Sequence, residues 1–290
     1  MPRQLLETLR TEGILFFMQI LLHAGFHKSG TTSIQDALLE VKDGDFIYPH
    51  PLTGGPGHSV IAHAVNDENS PNYDPALLLK MVNKMSFKFI LRRKPRLVLS
   101  SEDFTATANF EAINRLALKH EVHLILTRRP VKEALPSWQQ ELIKHGSHNP
   151  YLSEEGLIES ENHLQFNINR IDAFLHSAKF KKITVISTTS SKPNFIFENF
   201  SRILGAELKV KIKNSRLDDL VLQELVKLNS QSPNLNNIQR INSAIMTVKK
   251  TNKVSIDNSF DQVWEAKEKE LTDYFIAQSK TGFIEFISAE

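Results

Sequence analysis

The chain has 290 residues, with 35 Lys plus Arg against 33 Asp plus Glu, 41% hydrophobic residues and no cysteine. These are the proportions of a soluble globular protein; they exclude collagen-like, low-complexity and disordered classes, and the missing thiols exclude disulfide scaffolds, thiolate metal sites and a cysteine nucleophile. A net charge of +2 gives no support to a dedicated nucleic-acid binder, and the lack of cysteine favours the cytoplasm.

The most apolar stretch, 14–26, contains Gln19 and His23 and is shorter than the ~18 residues a membrane helix needs. Arg3 and Arg10 precede it, as in a signal peptide or signal anchor; the competing reading is a buried strand. Met18 stands directly before the strand-like QILLHAGF, so 1–17 is expected to be an extension and 18–290 a single domain. Apolar runs rich in β-branched residues predict strands at 19–25, 96–101, 122–127 and 182–187, with a weaker one at 206–212. Helical patterns lie at 31–41, 59–65, 75–84, 110–119, 131–145, 163–177 and 194–204. This alternation predicts an α/β three-layer sandwich, a mainly parallel central sheet covered on both faces. After about Lys213 the strand patterns stop. A helix is expected at 216–229, with Leu217, Leu220, Val221, Leu225 and Leu228 on one side. A polar loop follows at 229–237, then a helix at 260–277 with Val263, Trp264, Leu271, Tyr274 and Phe275 as its apolar set. From about 214 the tail therefore reads as helical cover for the same domain.

The informative segment is AGFHKSGTTSIQDALL, Ala24 to Leu39. A buried strand ends near Gly25 and a helix begins near Thr31, with Gly25 and Gly30 five apart. A P-loop has G-x-x-x-x-G-K-[ST] in this strand–loop–helix setting; here Thr31 stands at the lysine position and a lysine comes earlier, at Lys28. Glycines let successive N–H groups converge on an anion, and the helix start adds free N–H groups and the positive dipole end. Ser29, Thr31, Thr32 and Ser33 offer hydroxyls and Lys28 a mobile cation. The alternative is a plain strand–helix turn capped by Gly30 and Thr31.

The stretch GFHKSGTTSIQ resembles the 5′-phosphosulfate loop, K-[ST]-G-T-[TS], of sulfotransferases that use 3′-phosphoadenosine 5′-phosphosulfate (PAPS). The resemblance implies a P-loop NTPase-like fold, with Lys28, Ser29, Gly30, Thr31 and Thr32 on the 5′-phosphosulfate and Lys28 stabilising the bridging oxygen as the sulfuryl group leaves. The family holds the 3′-phosphate with an Arg at a strand end and a Ser eight residues later. Here VHLILT runs into RRPVKEALPSWQQ, which sets Arg129 and Ser137 eight apart, with Arg128 as the alternate; Pro130 suits a first helical turn. The Gly-rich C-terminal phosphate loop of animal cytosolic members is not visible. The resemblance covers about 19–229.

Sulfuryl transfer resembles phosphoryl transfer: attack is in line, charge develops on the bridging oxygen, and the acceptor hydroxyl must lose a proton. The family uses His in some branches and Glu in others. Glu102, after the strand RLVLSS, is the first candidate base, with Ser100 and Ser101 beside it to hold the donor or orient the carboxylate. His58, after the Pro/Gly-rich 49–57, is the second, and His27 is placed to touch donor or acceptor. The basic run Lys88, Arg92, Arg93, Lys94 and Arg96 reads as a solvated loop or an electrostatic lure for an acidic glycan or the donor. Trp138 is a core residue or lies near adenine or acceptor. No HExxH or EF-hand pattern exists.

The sequence thus predicts a cytoplasmic, PAPS-dependent sulfotransferase. The resemblance implies that it releases 3′-phosphoadenosine 5′-phosphate (PAP) and sulfates a hydroxyl-bearing small molecule or carbohydrate. No metal, nucleic-acid partner or membrane span is expected. The alternatives are a P-loop kinase or NTPase, with Asp103 serving a metal, and a non-catalytic nucleotide- or glycan-binding module.

Overall fold

The computed structural model describes residues 18–289, except 43, 51–54, 67, 69–72, 93–95, 106–109, 152, 154, 157–167, 211–216, 232–234 and 249–260. The expected extension at 1–17 lies outside these residues, as do 93–95 of the basic run and 163–167 of one expected helix.

Six strands form one parallel sheet. They are β1 (Gln19–His23), β2 (Phe46–Ile47), β3 (Arg96–Ser100), β4 (Glu121–Arg128), β5 (Lys182–Ser187) and β6 (Glu285–Ser288), in the order β2-β3-β1-β4-β5-β6. The central strands are apolar on both sides because both faces are covered. Leu22 shows the register: it lies between Leu99 of β3 and Leu124 of β4.

Ten helices among the described residues complete the fold. On one face lie α1 (Thr31–Glu40) and α7 (Phe195–Leu204), which pack Ile34, Leu38, Phe197 and Phe200 against Leu21, Val98, Ile125 and Ile186. The other face carries α2 (Ser59–Asn66), α3 (Leu77–Arg92), α4 (Glu111–Ala117), α5 (Val131–Lys144), α6 (Ile168–Leu175) and α10 (Asp261–Lys280). The alternation of side chains along each strand divides the two cores: even-numbered Ile20, Leu22, Leu124 and Leu126 face one layer, odd-numbered Leu21 and Ile125 the other. A third cluster joins the end of α5, through Ile143, to the hairpin of α8 (Asp219–Gln231) and α9 (Asn237–Val248).

The C-terminal region departs from expectation in three ways. It returns to the sheet as β6, paired with β5 through Val185↔Phe286 and Ile186↔Ile287, so it is more than helical cover. The polar stretch at 229–237 does not begin a loop at once, because α8 runs to Gln231, and α9 follows. The weak strand at 206–212 is absent, as 206–210 have no regular structure and 211–212 lie outside the described residues.

Phe275 of α10 is fully buried and its ring stacks on Phe286 of β6, with centroids 5.7 Å apart. If α10 is integral to the core, Phe275→Ala will cost about 3–5 kcal/mol in urea denaturation. A loss below about 1 kcal/mol would instead mark α10 as a loosely attached cover.

Candidate functional site

The strand order dictates where a ligand fits. The connection leaving β1 travels toward β2, while the one leaving β4 travels the opposite way, toward β5. Adjacent strands with diverging connections open a crevice at their carboxyl ends. The loop after β1 and the start of α5 line this crevice, and the end of β3 adjoins it.

Beyond His23 the chain still follows β4, through Ala24 N–H to Ile125 O at 2.9 Å and Phe26 N–H to Thr127 O at 2.8 Å. It then turns sharply. Lys28 has φ 64° and Gly30 φ 89°, two left-handed residues that bracket Ser29. For lysine this conformation costs on the order of 1–3 kcal/mol, so the surroundings must enforce it. Among the described residues, the backbone N–H groups of Lys28, Gly30, Thr31 and Thr32 donate to no acceptor, and Gly30 brings no side-chain cap. The turn and the helix start therefore present a row of open amides.

The hydroxyls divide. Thr32 and Ser33 stay open to solvent, but Ser29 and Thr31 are buried beneath the loop. Ser29 Oγ donates to Phe26 O at 2.6 Å and lies 2.9 Å from Thr127 Oγ1 and 3.3 Å from Thr31 Oγ1. The expectation that all four hydroxyls face an anion is thus corrected for Ser29 and Thr31, whose hydroxyls close the turn from below. A side chain at Gly25 would obstruct this: its Cβ would stand 2.2 Å from Thr31 Oγ1, 2.6 Å from Thr127 Oγ1 and 2.8 Å from Ser29 Oγ.

Under the hydroxyls sits His23, which sequence reasoning did not single out. Its Nε2 lies 3.0 Å from Thr127 Oγ1 and its Nδ1 2.8 Å from Ser100 Oγ, which also receives Gln35 Nε2 at 3.1 Å. Burial pushes the His23 imidazole down to about 3, so it is neutral at physiological pH. His58 is likewise a brace. Its Nδ1 accepts the Ser100 N–H at 3.1 Å and its Nε2 donates to Pro49 O at 3.1 Å, with burial again lowering its pKa. With both nitrogens bound to backbone and the ring buried, His58 cannot take an acceptor's proton; the expectation that it is the second candidate base is corrected. Ser100 serves the same network, and Ser101 caps the short 3₁₀ turn Glu102–Phe104 by accepting the Asp103 N–H at 3.1 Å.

Glu102 emerges from that turn into the crevice. His27 Nδ1 donates to its Oε2 at 3.0 Å, and the His27 ring stacks on Trp138 of α5 with centroids 4.5 Å apart. Lys28 reaches the same tryptophan, its Nζ 5.7 Å from the ring centroid, and bonds Glu141 Oε2 at 2.9 Å. Burial pushes the Glu141 carboxyl up, but the Lys28 ammonium, with Lys144 and His145 adding to it, holds it below the usual carboxylate range. His27, held by Glu102, and Lys28 thus converge on one aromatic ring.

One face of α5 carries the rest. Glu133, Ser137 and Glu141 follow at four-residue spacing and so lie in a row. Arg129 Nε stands 3.1 Å from Glu133 Oε2, and the same carboxylate accepts Ser190 N–H and Oγ–H at 2.9 Å each. Ser137 lies one turn from each glutamate, and its hydroxyl takes no hydrogen bond among the described residues.

Arg128, the alternate for the 3′-phosphate, is corrected. Its side chain is 1% exposed and turned away from the crevice, paired with Glu268 of α10, 3.3 Å from Thr272 Oγ1 and over the Phe275 ring. Strand alternation sends it to the face of Leu126, opposite to Thr127, which meets the loop. Glu268 also accepts the Val131 N–H at 2.8 Å, capping α5, whose N-cap position is taken by Pro130 itself.

Asp103, the metal-holding candidate of the kinase reading, bonds Ser101 Oγ at 3.1 Å and lies 3.5 Å from His63 Nε2. Among the described residues no three His, Cys, Asp or Glu side chains gather closely enough to hold a metal ion. Arg96 of the basic run bonds Ile203 O at 3.1 Å, at the opposite edge of the sheet. Among the described residues no helix is long and apolar enough to cross a membrane.

Fold and loop together define an α/β protein with a P-loop-like strand–loop–helix at the switch point of its sheet. No protein-family model and no curated protein matches the chain. Among solved structures, a tRNA delta(2)-isopentenylpyrophosphate transferase from Staphylococcus epidermidis aligns over 93% of each chain at 10% identity with a TM-score of 0.21, a likeness too slight to carry an argument.

His23 gives the site a pH signature. Its folded pKa lies below its unfolded value of about 6.5, so between about pH 6.5 and 3 the unfolded chain binds a proton that the folded chain refuses. Stability will therefore fall as pH drops through that window. His23→Gln is expected to make the decline in urea midpoint from pH 7 to pH 4 shallower. An unchanged slope would mean that His23 is not buried neutral.

Proposed function

We propose that the chain transfers a sulfuryl group from PAPS to a hydroxyl acceptor, a carbohydrate hydroxyl or that of a small molecule. The observation that carries this reading is the meeting of Lys28 with the His27–Glu102 pair on Trp138, at the rim of the open amides. A cation and a proton acceptor are the two groups that sulfuryl transfer asks for on opposite sides of the reacting sulfur. In this reading the amides of Lys28, Gly30, Thr31 and Thr32 hold the 5′-phosphosulfate, and Lys28 leaves Glu141 to neutralise the bridging oxygen. Arg129 and Ser137 take the 3′-phosphate. Both cations are only partly exposed and already paired with carboxylates, an arrangement that an incoming anion can replace.

The kinase reading shares the amides. It asks for a lysine where Thr31 stands, and Thr31 is buried beneath the loop. A binding module that performs no transfer shares the whole donor site, and turnover separates it from an enzyme.

The test is a thermal-shift and binding panel with PAP, AMP and ATP. PAP at ~100 times its Kd will add about 2.7 kcal/mol of stability, and AMP will bind more weakly. The Arg129→Ala and Ser137→Ala variants will lose PAP affinity but little AMP affinity, because a charge-assisted contact worth about 1.5–3 kcal/mol disappears only where a 3′-phosphate exists to make it. Equal losses for both nucleotides would place the 3′-phosphate elsewhere, and magnesium-dependent ATP turnover without PAP binding would support the kinase.

Lys28→Ala will leave the fold intact and abolish transfer, since the ammonium acts on charge that develops in the transition state. Transfer from PAPS within a few-fold of wild type would remove Lys28 from the mechanism.

A further inference from the structure

The structure brings together a pair that neither motif contains. His27 belongs to the turn after β1, and Glu102 to the 3₁₀ turn after β3, 75 residues away. Their bond of 3.0 Å joins Nδ1 of the ring to Oε2 of the carboxylate. A carboxylate accepts, so the proton of a neutral ring sits on Nδ1 and the lone pair is left on Nε2. Stacking on Trp138 fixes the ring plane and the carboxylate fixes its rotation. Nε2 itself has no hydrogen-bond partner among the described residues, and the side chain is 17% exposed. An oriented imidazole with one nitrogen on a carboxylate and the other open is the arrangement that activates a hydroxyl in nucleophile–base–orienter sites on unrelated folds.

We propose that the acceptor's proton goes to His27 Nε2, and that Glu102 is a positioning residue acting through Nδ1. The inference rests on the sulfuryl-transfer reading and deepens it. The acceptor oxygen bonds to sulfur while the bond from sulfur to the bridging oxygen breaks, and PAP departs with that electron pair. The hydroxyl proton moves to Nε2, and the resulting imidazolium keeps its Nδ1 proton on Glu102. Lys28, the next residue in the chain, meets the charge on the leaving oxygen. The charged and titratable groups around the ring are Glu102 from the 3₁₀ turn and Lys28 from the loop, with Glu141 of α5 beyond Lys28; Trp138 supplies the neutral face.

The experiment measures single-turnover release of sulfate from PAPS, with water as the acceptor, from pH 4 to 9. It compares the wild-type chain, His27→Gln and Glu102→Gln, and records PAP affinity for each. The wild type is expected to release sulfate faster than buffer alone, with a rate that falls along an acid limb as Nε2 takes up a proton. His27→Gln will bind PAP within several-fold of wild type yet turn over about 10²–10⁴-fold more slowly, with that limb gone. Glu102→Gln will be slower than wild type but keep the acid limb. A merely structural role for either residue would not separate the limbs in this way. Should His27→Gln lose PAP binding, His27→Asn replaces it with the same expectations.

Three results overturn the proposal. The first is a His27 variant that turns over within a few-fold of wild type. The second is an acid limb that persists unchanged in that variant. The third is a wild type that binds PAP but releases sulfate no faster than buffer. A wild-type chain that binds no PAP at all is the distinct failure of the sulfuryl-transfer reading, and it removes the base assignment with it.

Discussion

The loop after β1 keeps its shape because Gly25 has no side chain. Three hydroxyl oxygens, from Ser29, Thr31 and Thr127, close over the space a Cβ would fill, and His23 lies directly beneath them. Each buried polar group in this cluster is paired, which is the condition under which a buried network fixes one conformation at no net loss. The chain above it is thereby forced through a left-handed lysine and a left-handed glycine, and these turn the amides outward. His27 and Lys28 stand on that turn, so the positions of the proposed base and cation both follow from hydroxyl packing they do not join.

The cations at and beside the crevice follow a second rule: Lys28, Arg129 and the buried Arg128 each pair with a carboxylate. Lys28 has Glu141, Arg129 has Glu133 and Arg128 has Glu268. Burial separates them. The first two pairs are partly exposed, where an ion pair contributes only about 0–1 kcal/mol and a phosphate oxygen can take the carboxylate's place. Arg128 is fully buried, and removing its partner would leave an uncompensated charge at a cost of about 3–5 kcal/mol. Arg128 therefore ties α10 to the end of β4, and Lys28 and Arg129 are the cations free to exchange partners.

What the sequence revealed follows the same physics. Strands buried on both faces write continuous apolar runs, so β1, β3, β4 and β5 were legible, β5 to the residue. The two residues of β2 are too few to show a period, and β6 lies at the edge with its residues only partly covered. The α9 helix buries only Ala244 among its own residues and leaves Ile238 and Met246 exposed, so its pattern reads as polar chain. In the site, the glycine spacing and Lys28 were legible because a turn is a local object. The roles of His23, His58 and Arg128 were not, because each depends on partners far along the chain: Ser100 and Thr127 lie 77 and 104 residues from His23, Ser100 lies 42 from His58, and Glu268 lies 140 from Arg128. Adjacent arginines look alike in sequence, and strand alternation alone sends one inward and leaves the other at the crevice.

The central claim is that the crevice between β1 and β4 is built for a nucleotide with phosphates at both its 5′ and 3′ positions. The most direct measurement is a crystal structure of the chain with PAP. The account predicts the 5′-phosphate on the amides of Lys28, Gly30, Thr31 and Thr32, and the 3′-phosphate on Arg129 and Ser137, with Glu133 and Glu141 released from their cations. PAP bound away from the loop after β1, or a 3′-phosphate that touches neither Arg129 nor Ser137, would contradict it.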